Sequence, residues 1–200
     1  MTEWILHAVS ARGYWGILAL MVLENVFPPI PSELIMGLGG IALAHGEMAF
    51  WPLLAAGTVG STIGNYAWYL AGRRLGYARL KPAIDAYGRW LTLEWADVEA
   101  MAGFFLRHGH WVVFIVRFTP LLRTMISLPA GLAHMGRLRF ILYTAAGTSI
   151  WNCILICGGY YLGTYFAAEL DRFMGPVVIG SAAVLVILYA WRVWRWQPRD

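Results

Sequence analysis

The chain has 200 residues, 60% of them hydrophobic and only 13% charged. A soluble domain carries about 25% charged residues, so this composition excludes an ordinary soluble enzyme and predicts one integral membrane domain. The net charge of +4 gathers in patches beside apolar runs, the pattern of cytoplasmic loops under the positive-inside rule rather than of a nucleic-acid surface.

The first apolar stretch, Gly13 to Leu23, leads to no small-residue cleavage site, so no secretory signal is expected. It runs instead into Glu24-Asn25-Val26-Phe27-Pro28-Pro29-Ile30-Pro31-Ser32-Glu33, and a second uncharged stretch, Leu34 to Ala44, follows. Each limb is shorter than the ~20 apolar residues that a spanning helix needs. Pro28, Pro29 and Pro31 break the helical hydrogen-bond ladder, and irregular backbone at membrane depth survives only inside protein or against a water-filled cavity. The segment reads as the tip of a re-entrant hairpin lining a polar site.

Three further uncharged runs, Met48 to Gly72, Phe140 to Ala168 and Met174 to Trp191, have about the length of membrane spans. Between the first two lies a basic loop, 73–110. Within it Trp95, Val98, Met101, Ala102 and Phe105 recur at helical spacing opposite Glu94, Asp97 and Glu99, which predicts an amphipathic helix over 92–107 lying at the membrane interface. Asp85, Glu94 and Asp97 read as a solvated face. The second hairpin tip is Arg117-Phe118-Thr119-Pro120-Leu121-Leu122-Arg123, again between uncharged limbs. At the C-terminal end Trp191, Trp194 and Trp196 beside Arg192 and Arg195 form an aromatic belt with snorkelling bases.

The chain repeats itself. Gly60-Ser61-Thr62-Ile63-Gly64-Asn65 and Gly147-Thr148-Ser149-Ile150-Trp151-Asn152 align without a gap, and the register continues through Gly72/Gly159 and Gly76/Gly163. The preceding segments correspond as well, Phe27 to Ala42 with Phe118 to Ala133. The expected architecture is an all-α polytopic membrane protein, one domain over 1–200. Repeat 1 covers about 14–76, an amphipathic linker about 77–110 and repeat 2 about 111–163, and an additional transmembrane helix covers about 174–194. Each repeat is a re-entrant hairpin plus one spanning helix. That odd number of crossings inverts the second copy, as in transporters that bind substrate where broken helices meet. The loop at 73–110 and the C-terminus then face the cytoplasm.

Inverted repeats bring the tips in from opposite faces, so Glu24 and Glu33 can meet Arg117 and Arg123. Pairing is the inexpensive way to keep four charges inside a membrane protein. One reading is that the carboxylates merely neutralise the arginines and lock the hairpins. The other is that the arginines bind an anion, for which the guanidinium fork is shaped, while Glu24 and Glu33 take up protons as it arrives. Asn65 and Asn152, equivalent in the repeat, either line this site or hydrogen-bond between helices. Tyr66, Tyr69, Tyr160 and Tyr161 read as packing or interfacial residues. His108, His110 and His134 have no metal-triad spacing, and Cys153 and Cys157 read as small buried packing residues. No metal, cofactor or catalytic nucleophile is expected.

The motifs Glu24…Phe27-Pro28-Pro29-Ile30-Pro31-Ser32-Glu33, Gly60-x3-Gly64-x-Tyr66-x5-Gly72-Arg73-x2-Gly76, Phe114-x2-Arg117-Phe118-x-Pro120-x2-Arg123, Ala130-Gly131-x3-Met135-x4-Phe140 and Gly147-x3-Trp151 resemble the DedA family. This is the bacterial branch of the superfamily that includes the eukaryotic VTT-domain lipid scramblases. The resemblance covers about residues 15 to 165. It implies two embedded acidic residues and two arginines as functional positions, here Glu24, Glu33, Arg117 and Arg123. Some relatives have Asp where Glu33 stands. The resemblance implies a multi-pass protein of the bacterial cytoplasmic membrane that moves a phosphate-bearing lipid, undecaprenyl phosphate or a phospholipid, with proton coupling. The alternatives are a proton-coupled transporter of a small ion or osmolyte, and a non-catalytic membrane-homeostasis factor.

Overall fold

The computed structural model describes residues 2–26, 32–91, 95–109, 111–119, 123, 126–165 and 187. The hairpin prolines Pro28, Pro29, Pro31 and Pro120 lie outside the described residues, as do His110 and, apart from Ile187, the helix expected at 174–194. The described residues form seven helices and no strand: α1 (Thr2–Val26), α2 (Ser32–Ala44), α3 (Phe50–Leu91), α4 (Trp95–His108), α5 (Val112–Val116), α6 (Ser127–Leu132) and α7 (Arg137–Tyr165). The fold is all-helical, as the composition predicts.

Two of the helices are broken by glycine. Gly13 takes φ 53° and ψ −130° in α1, and Gly76 takes φ 61° and ψ −179° in α3; glycine alone adopts such angles without strain. The first break isolates Tyr14–Val26, a limb about 20 Å long at 1.5 Å per residue. Its partner α2 has 13 residues, and the two limbs pack on each other. Both fall short of the ~30 Å hydrocarbon core, the limb length anticipated from the sequence. Among the described residues α7 is the helix long and apolar enough to cross a membrane. The second break corrects the expected loop at 73–110. Helix continues from Gly76 to Leu91, and α4 follows, so most of the basic charge there is carried on helices.

The chain packs as two compact units, Met1–Gly64 with Thr148–Val186 and Asn65–Gly147 with Ile187–Asp200. In the first, Ile17, Met21, Ile35, Met36, Leu53 and Ile156 form the core. Glycines set its helix spacing. A Cβ at Gly40 would collide with the Ile156 carbonyl oxygen, and one at Gly159 with the Gly37 carbonyl oxygen, so α2 and the second half of α7 meet backbone to backbone.

The second unit repeats that contact with other residues. A Cβ at Gly131 would strike the Tyr69 carbonyl oxygen, and one at Gly72 the Leu128 carbonyl oxygen. In the register of the internal repeat, Gly131 stands for Gly40, Gly72 for Gly159, Leu128 for Gly37 and Tyr69 for Ile156. In each unit, therefore, the second limb of one repeat packs on the long helix of the other. Tyr69 and Phe140 stack at 4.5 Å in the middle of this unit, among Val113, Ile126, Ala130 and Met135.

The amphipathic helix has a different partner from the one its periodicity suggests. Val98 of α4 is buried with Leu80, Leu128 and Leu132, Trp95 packs on the same cluster, and Phe105 joins the Tyr69 cluster. Protein covers Val98, Ala102 and Phe105 of this face. Cys153 is half-buried, but Cys157 is exposed, so the second cysteine is not the buried packing residue expected.

Candidate functional site

In the second unit the site is built around Arg117. α5 ends at this residue, and its side chain is 2% exposed. Gly147 of α7 makes the space, since a Cβ there would lie 2.9 Å from Arg117 Cβ and Cγ. Nη1 donates to Asn65 Oδ1 at 2.6 Å and to the Arg123 carbonyl oxygen. Nη2 donates to Ser127 Oγ at 3.1 Å and Thr144 Oγ1 at 3.0 Å. Ser127 Oγ in turn donates to Asn65 Oδ1 at 2.8 Å, and the guanidinium carbon lies 5.9 Å from the Phe140 ring centroid.

Four of the five guanidinium donors are thus held by neutral acceptors on α3, α6, α7 and the Arg123 backbone. A buried cation without such bonds would cost several kcal/mol, about 3–5 when one partner is removed from a buried pair. The cage reaches the Arg123 backbone, while the Arg123 side chain is only half-buried. The two arginines, alike in sequence, differ in the fold: one is enclosed and the other half-buried.

A second network steadies the same unit. Tyr69 Oη donates to the Met135 carbonyl oxygen, and Arg73 Nη1 donates to Tyr69 Oη at 2.7 Å and to that carbonyl at 2.9 Å. Met135 lies in the turn between α6 and α7, where His134 takes φ 53°. The charge at Arg73, read from sequence as part of a cytoplasmic loop, ties α3 to this turn.

The first unit carries a buried polar layer at the end of α1. Glu24 is 4% exposed and Asn25 2%. Asn25 Nδ2 lies 2.6 Å from Glu24 Oε2, 2.8 Å from the Met21 carbonyl oxygen and 3.3 Å from Ser61 Oγ. A Cβ at Gly64 would lie 2.6 Å from Asn25 Cβ, so α3 presses on the α1 limb at this level. Ser32 is fully buried at the start of α2, with Glu33, half-buried, beside it. Asn152 of α7 is fully buried, and neither its Oδ1 nor its Nδ2 has a hydrogen-bond partner.

Of the residues singled out from sequence, the structure groups Arg117, Arg123 and Asn65 in one unit and Glu24, Glu33 and Asn152 in the other. Sequence reasoning missed Asn25, Ser61, Ser127 and Thr144. Asn25 had a signal, an amide beside a carboxylate in an otherwise apolar stretch. Thr144 had a weaker one, a lone hydroxyl inside a long uncharged run, and nothing marked Ser127. Among the described residues no three His, Cys, Asp or Glu side chains converge as a metal site.

A family model described as the VTT domain matches residues 30–161. The chain belongs to the VTT-domain family. The matched segment contains Glu33, Asn65, Arg117, Arg123 and Asn152, and Glu24 precedes it. An "Alkaline phosphatase-like protein" of Lactococcus lactis is 37% identical over 194 residues, 94% of this chain and 91% of its own length. An "Undecaprenyl phosphate transporter A" of Staphylococcus aureus is 33% identical over 94% of this chain and 96% of its own length. The Bacillus subtilis protein of the same name is 31% identical over 92% and 90%. No solved structure matches this VTT-domain chain.

Proposed function

We propose that the chain is a translocase for a phosphate-bearing lipid in the bacterial cytoplasmic membrane. Undecaprenyl phosphate is the first candidate and a phospholipid the second. The carrying observation is the enclosed Arg117, whose cage reaches the backbone of the half-buried Arg123. Arg123 makes the bidentate contact to the phosphate. Arg117 supplies positive potential from low-dielectric surroundings and holds the tip in place. Two relatives that match over nine-tenths of the chain and carry the transporter name support this reading.

Proton coupling runs through Glu24 and Glu33. Uptake of a proton on one side with release on the other would drive net movement. The matching glycine contacts of the two units support two inverted repeats, each a re-entrant hairpin with one long helix. The hairpins gate, and residues 73–110 and the C-terminus face the cytoplasm.

The test is a sidedness assay in liposomes carrying undecaprenyl phosphate, with and without a proton gradient. Wild-type protein moves the headgroup and the gradient biases its distribution. Arg123→Gln abolishes movement while the protein stays folded. Wild-type rates in that variant would refute the assignment of Arg123. The Lactococcus relative's name adds a second readout, release of inorganic phosphate from the lipid, which stays at background on this reading. Small solutes tested in the same vesicles separate lipid from ion or osmolyte transport.

A further inference from the structure

Two guanidinium groups are joined by one series of ring contacts in the second unit. Arg117 lies 5.9 Å from the Phe140 ring centroid, Phe140 stacks on Tyr69 at 4.5 Å, and Arg73 lies 6.0 Å from the Tyr69 ring centroid. The protein uses the two cations differently. Arg117 donates through both Nη atoms to four acceptors. Arg73 donates through Nη1 alone, to Tyr69 Oη and to the Met135 carbonyl oxygen. Among the described residues no acceptor bonds its Nε or Nη2, and no carboxylate pairs with it.

Tying α3 to the turn before α7 needs one donor, which a glutamine would supply. Arginine leaves a half-buried, permanent charge with three more N–H groups along one edge of a planar fork. That edge has the shape that grips two phosphate oxygens at once. Its surroundings are mostly of one sign. Arg74 follows Arg73, and Arg137 follows Met135 by two residues; both are exposed, as are His134 and Arg139. Glu99 is the acidic side chain described in this unit. It is bonded to Trp95 Nε1, and Trp95 meets Tyr77, one turn beyond Arg73 on α3.

The level of Arg73 follows from α7, the described helix long and apolar enough to cross a membrane. It begins at Arg137, and Leu138, Leu142, Ile150 and Ile154 are exposed along it, as on a face turned to lipid. Met135 precedes that start by two residues, which puts Arg73 at the level of lipid headgroups. Arg117 meets α7 at Gly147, ten residues beyond Arg137 and so ~15 Å further along the axis.

We propose that Arg73 is a docking site for the phosphate headgroup of a lipid at the membrane surface, one stage before the Arg123 site. The ligand is the one that the translocase reading above supplies. Nε and Nη2 take two phosphate oxygens while Nη1 keeps its hold on Met135. Arg74 and Arg137 add an attraction that salt screens. A headgroup leaving Arg73 then has the enclosed charge of Arg117 deeper in the same unit.

Native mass spectrometry of the purified full chain, released from detergent micelles after titration with farnesyl phosphate, counts bound molecules without any transport step. Wild-type protein binds two. Arg123→Gln keeps one, Arg73→Gln keeps one, and the double variant keeps none. Arg73→Lys retains the charge and a donor for Met135 but not the fork, and weakens this site by roughly ten- to a hundred-fold through lost charge-assisted bonds; it decides the matter if Arg73→Gln does not fold. Tyr69→Phe lowers stability yet keeps both molecules, which separates binding from the integrity of the turn. Inorganic phosphate and farnesol both bind far more weakly than farnesyl phosphate. Two molecules on Arg73→Gln, wild-type affinity in Arg73→Lys, or none on Arg123→Gln overturns the proposal. Inorganic phosphate or farnesol matching farnesyl phosphate overturns the lipid headgroup as the ligand. If binding is as expected while liposomes show no headgroup movement, the translocase reading falls and the Arg73 site stands.

Discussion

Replacing Asn65 by leucine tests the Arg117 cage directly. Asn65 Oδ1 accepts from both Arg117 Nη1 and Ser127 Oγ. Leucine has similar volume and no acceptor, so two buried donors lose a partner together. A hydrogen bond to a charged group contributes ~1.5–3 kcal/mol, and a stranded buried donor costs ~1–3 kcal/mol. With Ser127 still able to rotate toward other acceptors, the sum lies at roughly 3–5 kcal/mol, the range for breaking a buried ionic contact. For a chain of this size, ~2–4 °C of Tm per kcal/mol makes that a fall of roughly 6–20 °C. Tryptophan fluorescence in a fixed detergent or nanodisc follows the transition. The double variant Asn65→Leu with Arg117→Met should recover much of the loss, since it removes the cation as well as its acceptor. A single variant within ~1 kcal/mol of wild type, a small surface-like effect, or a double variant less stable than the single, would show that Arg117 does not depend on Asn65.

Other positions give independent checks. Gly131→Ala drives a Cβ into the Tyr69 carbonyl and the Arg73 amide nitrogen, both backbone, so size-exclusion profiles should show little folded protein. Tyr69→Phe removes the hydroxyl between Arg73 and Met135 and should lower stability by about 1–3 kcal/mol by thermal unfolding, while Arg73 keeps its own bond to Met135. Alkylation by a membrane-permeant maleimide should be faster at exposed Cys157 than at half-buried Cys153; the reverse order, read by mass spectrometry, would contradict the packing of α7.

The amino-acid pattern carried the class of the protein and the short apolar helices Tyr14–Val26 and α2, because these depend on where apolar runs stop. It did not separate Asn65 from Asn152. Their registers are identical, but Asn65 accepts from Arg117 and Ser127 while Asn152 packs at Gly57. That contrast belongs to residues distant in sequence. The periodicity of residues 95–105 likewise revealed an apolar face without saying what covers it. Leu80, Leu128 and Leu132 do. Helix beyond Gly76 was hidden by its charges, which read as loop although charged residues such as Lys and Arg form helices readily.

The exchange of partners between the repeats has a consequence for biogenesis. Gly131 finds Gly72 already synthesised when it leaves the ribosome, whereas Gly40 must await Gly159. At ~5–20 residues per second, the intervening stretch takes roughly 6–24 s to make. For that interval the early glycine face of α2 has no native neighbour, so the half of the protein made first is the half completed last. A ribosome stalled before Gly159 would leave that face to lipid or to an insertion factor, whereas the Gly72 contact could already be closed.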